Sequence, residues 1–356
     1  MNKVKAIMNS EREYESQRPI IKEYILFLQN IIEKEPSNIK AICQLAISYF
    51  EDRRDTDICI EIMEAALTKN EESMSEQMLC ELLNNLAYFY DEELGESDKA
   101  VETLNRAIKH QSCKPNSYYA LAYLLVEDEP ELALKVISEM SMPESPLNHY
   151  QYLKGYILMK NELYTDALRI FEELRLYSDN SEVREKSLYS SAIIRSITNE
   201  TDMALRIADK LYDGFIVDHN EKVLTFELIH LYFLLRKFDK VVELFKIGKE
   251  PIYIDVEVIE SYFYALKSLG LKSECEILYL QKIEEINEEI ADTKLDCDFS
   301  NEEKESYINR SNEEIAKLKK SYSEIVLGNK FVQINDVFYS CKGTKCCYLI
   351  DCPRHS

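Results

Sequence analysis

The stretch HYQYLKGYILMKNELYTDALRIFEEL, residues 149–174, decides the reading of the whole chain. Two helices joined by a short turn fit it. Gly155 is a small residue within the first, and Tyr164, Ala167 and Phe171 give the second an aromatic, small, aromatic series. Small residues let two helices approach, and large ones fill the space between neighbouring hairpins. Tyr152 and Tyr156 of this stretch stand where Tyr119 and Tyr123 stand in the hairpin before it.

Working outward, the pattern returns with a period of roughly 33 to 41 residues over most of the chain. Leu83, Leu86, Ala87 and Tyr90, followed by Ala100, Leu104 and Ala107, place large and small apolar residues as a helix-turn-helix requires. Here the sequence resembles the tetratricopeptide repeat, a helical hairpin of about 34 residues with a small residue inside helix A and two alanines in helix B. Ala46, Tyr49, Ile62 and Ala65 mark the preceding hairpin, and Ala122, Ala133 and Ile137 the following one. Ala192, Ala204 and Ala208 continue the series. Tyr232, Phe238 and Phe245 match in the next hairpin, where Ile229 and Val241 replace the small residues, and another runs from Val256 with Phe263 at its tightest place and a Leu269-Gly270 turn. Residues 1–38 read as a degenerate first hairpin, with Leu28, Ile31 and Pro36 closing a helix B. The resemblance covers residues 1–290 and implies an all-α fold, a right-handed superhelical solenoid of such hairpins, its main part at 39–290.

Beyond it, Lys272 to Ile290 reads as a long helix with Cys275, Tyr279, Ile283, Ile286 and Ile290 on one face. Residues 291–328 read as a cap. Ser300-Asn301-Glu302-Glu303 is a capping box, Ile308, Ile315, Leu318, Tyr322 and Ile325 form the apolar stripe, and Gly328 ends the helix. In residues 329–356 the strand formers Phe331, Val332, Ile334, Val337, Phe338 and Tyr339, then Cys347 to Ile350, flank Lys342-Gly343-Thr344 and predict a small Cys-rich β-hairpin.

A net charge of −22 repels phosphate backbones and anionic lipid, so direct nucleic-acid contact and membrane binding are not expected, and partners are expected to be basic or neutral. The start of the chain has no apolar signal-peptide core, and no apolar run reaches the roughly 18 residues of a membrane span. Six cysteines, Cys43, Cys59, Cys80, Cys113, Cys275 and Cys297, are scattered through helical segments, as small core residues of a protein in a reducing compartment would be. A cytoplasmic location follows.

In the tetratricopeptide-repeat family, helix A points certain places toward the concave surface. Carried over position by position, these are Asn84 and Tyr88, Tyr119 and Tyr123, Tyr152 and Tyr156, Tyr189, Phe226, His230 and Phe233, and Tyr264. Tyrosine suits peptide recognition because it joins a stackable ring to a hydroxyl at low entropic cost. The same rings also suit packing between adjacent helices. Asn84 beside Asn85 offers side-chain amides to the backbone of an extended peptide, although adjacent asparagines are also common on solvated faces.

Cys341, Cys346, Cys347, Cys352 and His355 form a second constellation. Four thiolates and an imidazole suit a structural zinc site that would staple a small hairpin, but the paired C-x2-C knuckles of zinc motifs are absent. Redox pairing, unpaired thiols and modification of the tail are the other uses. Asp296-Cys297-Asp298 begins like a calcium loop, yet Asn301 and Tyr307 occupy its glycine and glutamate places and exclude it. No phosphate-binding loop, nucleophile elbow or H-E-x-x-H motif occurs, and His110, His149, His219 and His230 lie in separate hairpins. No enzymatic activity is expected.

The expected function is therefore a protein- or peptide-binding scaffold with an aromatic, acidic groove. Size and repeat number also resemble the bacterial tetratricopeptide receptors of signalling peptides, although the residues before the first good repeat are too few for an ordinary DNA-binding domain. Two alternatives stay open: a docking arm that presents the Cys-rich tail, and an acidic inhibitor or immunity-type protein that masks a basic partner. Oligomeric state is not readable.

Overall fold

The computed structural model describes residues 14–53, 55–110, 115–140, 148–217, 222–247, 256–296, 299–332 and 348–350. Among them are 16 α-helices and no strand. Two compact units form, one from residues 1–170 with 342–356 and the other from residues 171–341.

In the first unit α1 (Tyr14–Lys34) packs on α2 (Ile39–Arg53), burying Ile21, Ile25 and Leu28 against Ala41 and Leu45. Hairpins follow: α2 with α3 (Thr56–Asn70), α4 (Glu76–Tyr88) with α5 (Ser97–Ala107), and α6 (Pro115–Leu125) with α7 (Pro130–Glu139). Then come α8 (Asn148–Lys160) and the first part of α9 (Tyr164–Tyr177). The first helices of successive hairpins also touch, α2 to α4, α4 to α6 and α6 to α8. Side-chain caps start two of these helices. Asp55 accepts from the Ile58 N–H at 3.3 Å and Ser75 from the Met78 N–H at 3.3 Å.

The second unit pairs α10 (Ser181–Ile197) with α11 (Thr201–Val217), α12 (Thr225–Leu234) with α13 (Phe238–Ile247), and α14 (Val256–Ser268) with α15 (Lys272–Leu295). Asn180 caps α10 by accepting from the Glu182 and Val183 N–H groups. The capping box at the start of α16 (Asn301–Ser321) forms as expected: Ser300 N–H donates to Glu303 at 2.8 Å and Glu303 N–H to the Ser300 hydroxyl at 3.3 Å. That helix lies on α14 and α15, with Ile315 against Ile286 and Ile290 and the ring of Tyr322 stacked on Tyr279 at 4.3 Å. The Lys267 ammonium donates to the carbonyls of Ile325 and Gly328, closing the turn that ends α16. Gly328 is required there, because a Cβ would stand 2.5 Å from the Glu324 carbonyl oxygen.

The small residues of the repeat pattern sit where helices meet. Ala46, Ala87, Ala100, Ala107, Ala122, Ala133, Ala167, Ala192, Ala204 and Ala208 are all 0% exposed. Ala65 is a correction: it faces solvent, and Met63 and Ala66 turn inward instead, one residue later in register. Four of the turns between paired helices share one geometry. Glu162, Asn199, Arg236 and Gly270 all have positive φ, and the next residue's N–H reaches five residues back, as Leu163 does to Leu158 and Lys237 to Tyr232. This is the Schellman arrangement that satisfies the last carbonyls of a helix.

The β-hairpin expected over 329–356 is not supported. Phe331, Val332 and Tyr348–Ile350 carry no strand, and most of the segment, including Cys341, Cys346, Cys347, Cys352 and His355, lies outside the described residues. Tyr348 and Ile350 find their main-chain partners in asparagine side chains rather than in another strand.

Candidate functional site

Helix α4 has an apolar face of Leu79, Leu82, Leu83, Leu86 and Ala87, and it touches α2 on one side and α6 on the other. Asn84 and Asn85 are therefore enclosed, 0% and 1% exposed, which removes the solvated-face reading for both. A buried amide left unpaired costs about 1–3 kcal/mol, and these two find partners far along the chain. The Asn84 amide nitrogen donates to the Tyr348 carbonyl at 2.7 Å, and its oxygen accepts from the Ser117 hydroxyl on α6 at 3.1 Å. Asn85 uses both ends on a single residue. Its oxygen accepts the Ile350 N–H at 2.7 Å and its nitrogen donates to the Ile350 carbonyl at 3.2 Å. The pairing is that of one strand residue with its neighbour, supplied by a side chain.

The side chains of this segment are as enclosed as its backbone: Tyr348, Leu349 and Ile350 are 2%, 7% and 4% exposed. The Tyr348 ring stands edge-on to Tyr88 at 5.3 Å and tilted to Tyr123 at 6.5 Å, and its hydroxyl donates to the Ala87 carbonyl. Burial, then the nearby carboxylates of Asp91 and Glu92, push the phenol upward, so it stays protonated. Beyond Ile350 a small cleft continues between Lys40, Cys43 and Gln44 of α2 and Glu81 and Asn85 of α4.

The other expected residues of this unit are packed. Tyr119 stacks on Tyr123 and meets Tyr150. Tyr152 is fully buried, and the Tyr156 hydroxyl donates to Glu127, which also pairs with Lys160. The set brought together is thus Asn84, Tyr88 and Tyr123 around Tyr348.

In the second unit Tyr189 and His230 meet, hydroxyl to Nδ1, at 3.0 Å. Burial lowers the imidazole to about 4, so the ring is neutral at neutral pH. One turn before them on the same two helices, Lys186 lies 2.6 Å from Glu227, both enclosed. Phe233 and Tyr264 pack together with Phe238, and Phe331 lies edge-on to Tyr264. Phe226 is half-buried on α12.

Sequence reasoning missed Ser117, the Lys186–Glu227 pair and the role of Tyr348–Ile350. The signal for the last was present in Asn84-Asn85, two amides on a helix otherwise rich in leucine. The helical cysteines Cys43, Cys59, Cys80 and Cys275 are buried as core thiols, and burial raises Cys275 to about 11. Among the described residues no group of side chains is arranged to hold a metal ion.

No protein-family model and no curated protein matches the chain. Among solved structures, a tetratricopeptide repeat protein from Parabacteroides merdae superposes with a TM-score of 0.54 at 16% identity, covering 80% of this chain and 98% of that one. The fold is that of a tetratricopeptide-repeat protein. Weaker likenesses join this chain to the C-terminal part of a TPR repeat-containing protein from Cytophaga hutchinsonii (TM-score 0.46, 14% identity, 70% and 94% of the two chains) and to the apo form of RapI (0.44, 14%, 92% and 99%). In tetratricopeptide-repeat terms, α2, α4, α6 and α8 are first helices of hairpins, and Asn84, Asn85, Tyr88 and Tyr123 lie on two of them. No helix among the described residues is long and apolar enough to cross a membrane.

Proposed function

We propose that the chain is a non-enzymatic scaffold that binds protein partners or peptides through the α4–α6 face of its first unit. One observation supports this most directly: Asn85 engages both main-chain groups of Ile350, while Asn84 takes the carbonyl two residues earlier. Side-chain amides spent on main chain grip an extended segment whatever its sequence, and the neighbouring rings then select side chains. Asn84, Tyr88 and Tyr123 form the binding set in this reading. Tyr119, Tyr152 and Tyr156 pack within the same unit, whereas Tyr189, Phe226, His230, Phe233 and Tyr264 belong to the second unit and lie outside this set. The net charge of −22 favours basic or neutral partners.

The test is an array of random extended peptides probed with the wild-type chain and with N84A/N85A. The wild-type chain retains a subset of peptides, and the double variant loses that subset at unchanged helicity by circular dichroism. Retention of the same peptides by the double variant overturns the reading.

A further inference from the structure

A peptide-binding face is normally described empty, whereas this one holds a segment of its own chain. Tyr348, Leu349 and Ile350 carry no regular secondary structure, and the hydrogen bonds that Asn84, Asn85 and Ala87 make to them cross 261 to 265 residues of sequence. Three of these four bonds fall on main-chain groups of the segment. Leu349 is enclosed as well, and two further places define side-chain choice by named contacts. One is the slot of Tyr88, Tyr123 and the Ala87 carbonyl, which fits a ring with a hydroxyl; the other is the place of Ile350, whose aliphatic side chain is 4% exposed beside Cys43 and Gln44. Asp91 and Glu92 near the slot repel negative charge, so a phosphorylated or acidic side chain is rejected there.

We infer that the Asn84–Asn85 site takes extended peptides with a neutral aromatic residue followed two places later by an aliphatic one. Residues 348–350 are the resident copy of that ligand, which a free peptide must displace. The inference rests on the scaffold reading above. A tethered segment competes at high effective concentration and lowers the apparent affinity of a free ligand by the fraction of sites left open. Releasing the segment without touching the site should therefore tighten binding, which is the opposite of what losing a binding residue does.

The probe is a fluorescein-labelled peptide with the sequence of residues 345–353 carrying C346S, C347S and C352S, titrated by anisotropy into full-length chains. Y348A should bind it at least about tenfold more tightly than the wild type. Y348A/N85A should lose it, and the same peptide with phosphotyrosine at the aromatic place should not compete. A second measurement does not depend on the fold of Y348A: the Ile350 amide of the wild-type chain should be protected from hydrogen exchange, and N85A should remove that protection. Equal affinities for wild type and Y348A, or an unprotected Ile350 amide, overturn the resident-copy inference. So does a wild-type dimer that Y348A converts to monomer, because the segment would then serve a second copy of the chain. If other peptides bind in an Asn85-dependent way and this probe does not, the ligand pattern is wrong and the scaffold reading survives. If no peptide binds any of these chains, both fail.

Discussion

Lys186 Nζ lies 2.6 Å from Glu227 Oε2, with side chains 4% and 0% exposed, in the interior between α10 and α12. Removing one partner leaves an uncompensated buried charge, which costs about 3–5 kcal/mol. K186A should lower the urea midpoint of the second unit accordingly. K186M/E227L should recover much of the loss but not all, because Glu227 also accepts the Leu224 N–H at 2.8 Å at the start of α12, a cap whose removal costs about 1 kcal/mol. A double variant no better than K186A would show that the intact pair stabilises the fold beyond cancelling its own desolvation.

His230 predicts an acid-sensitive fold. Burial against Tyr189 holds its imidazole at about 4, below the ordinary value near 6.5, so the unfolded chain takes up the proton first. Its contribution is fully present above pH 6.5 and is lost as pH falls toward 4, by on the order of 3 kcal/mol at the lower end. Urea midpoints at pH 7.0, 5.5 and 4.5 should fall more steeply in the wild type than in H230Q. Parallel profiles would remove His230 as the cause.

Two of the positive-φ positions, Arg236 and Gly270, should respond in opposite directions to exchange between glycine and a larger residue. Arg236 is exposed at φ 56, and R236G should stabilise the chain by about 0.5–1 kcal/mol by relieving left-handed backbone strain. G270A should destabilise by about 1 kcal/mol through strain alone, since nothing lies within 4 Å of the added Cβ. G328A should cost more than G270A, because its Cβ meets the Glu324 carbonyl. Thermal midpoints of the three variants check the order.

Two tyrosines with equal sequence credentials should separate in experiment. Tyr123 is half-buried and faces Tyr348, so Y123A should weaken peptide binding with a small loss of stability. Tyr156 is 3% exposed and bonded to Glu127, so Y156A should cost about 3–5 kcal/mol by leaving a cavity. Anisotropy and urea unfolding on the same preparations distinguish them.

All the repeat alanines but Ala65 were readable in the sequence because helix approach demands a small residue at a fixed spacing; at Ala65 the neighbouring Ala66 meets that demand one residue later. Ser300-Glu303 and Gly328 were readable for a similar reason: caps are local chemistry. The turns at Glu162, Asn199 and Arg236 were hidden because no glycine marks them, although they share the geometry of Gly270. Rings at Tyr152 and Tyr189, fully buried, share their spacing with Tyr88 and Tyr123, so periodicity alone does not separate packing from groove. The strand reading of the tail failed on partnership. Tyr-Leu-Ile favours an extended backbone, but a side-chain amide 265 residues away completes its hydrogen bonds.

That separation sets an order in time. A ribosome adding about 5–20 residues per second delivers Asn85 tens of seconds before Ile350, the residue its amide holds. During every round of synthesis the Asn84–Asn85 pair therefore exists for that interval without the segment that later fills it. A partner present at the ribosome meets this newborn face with no competitor from the chain itself.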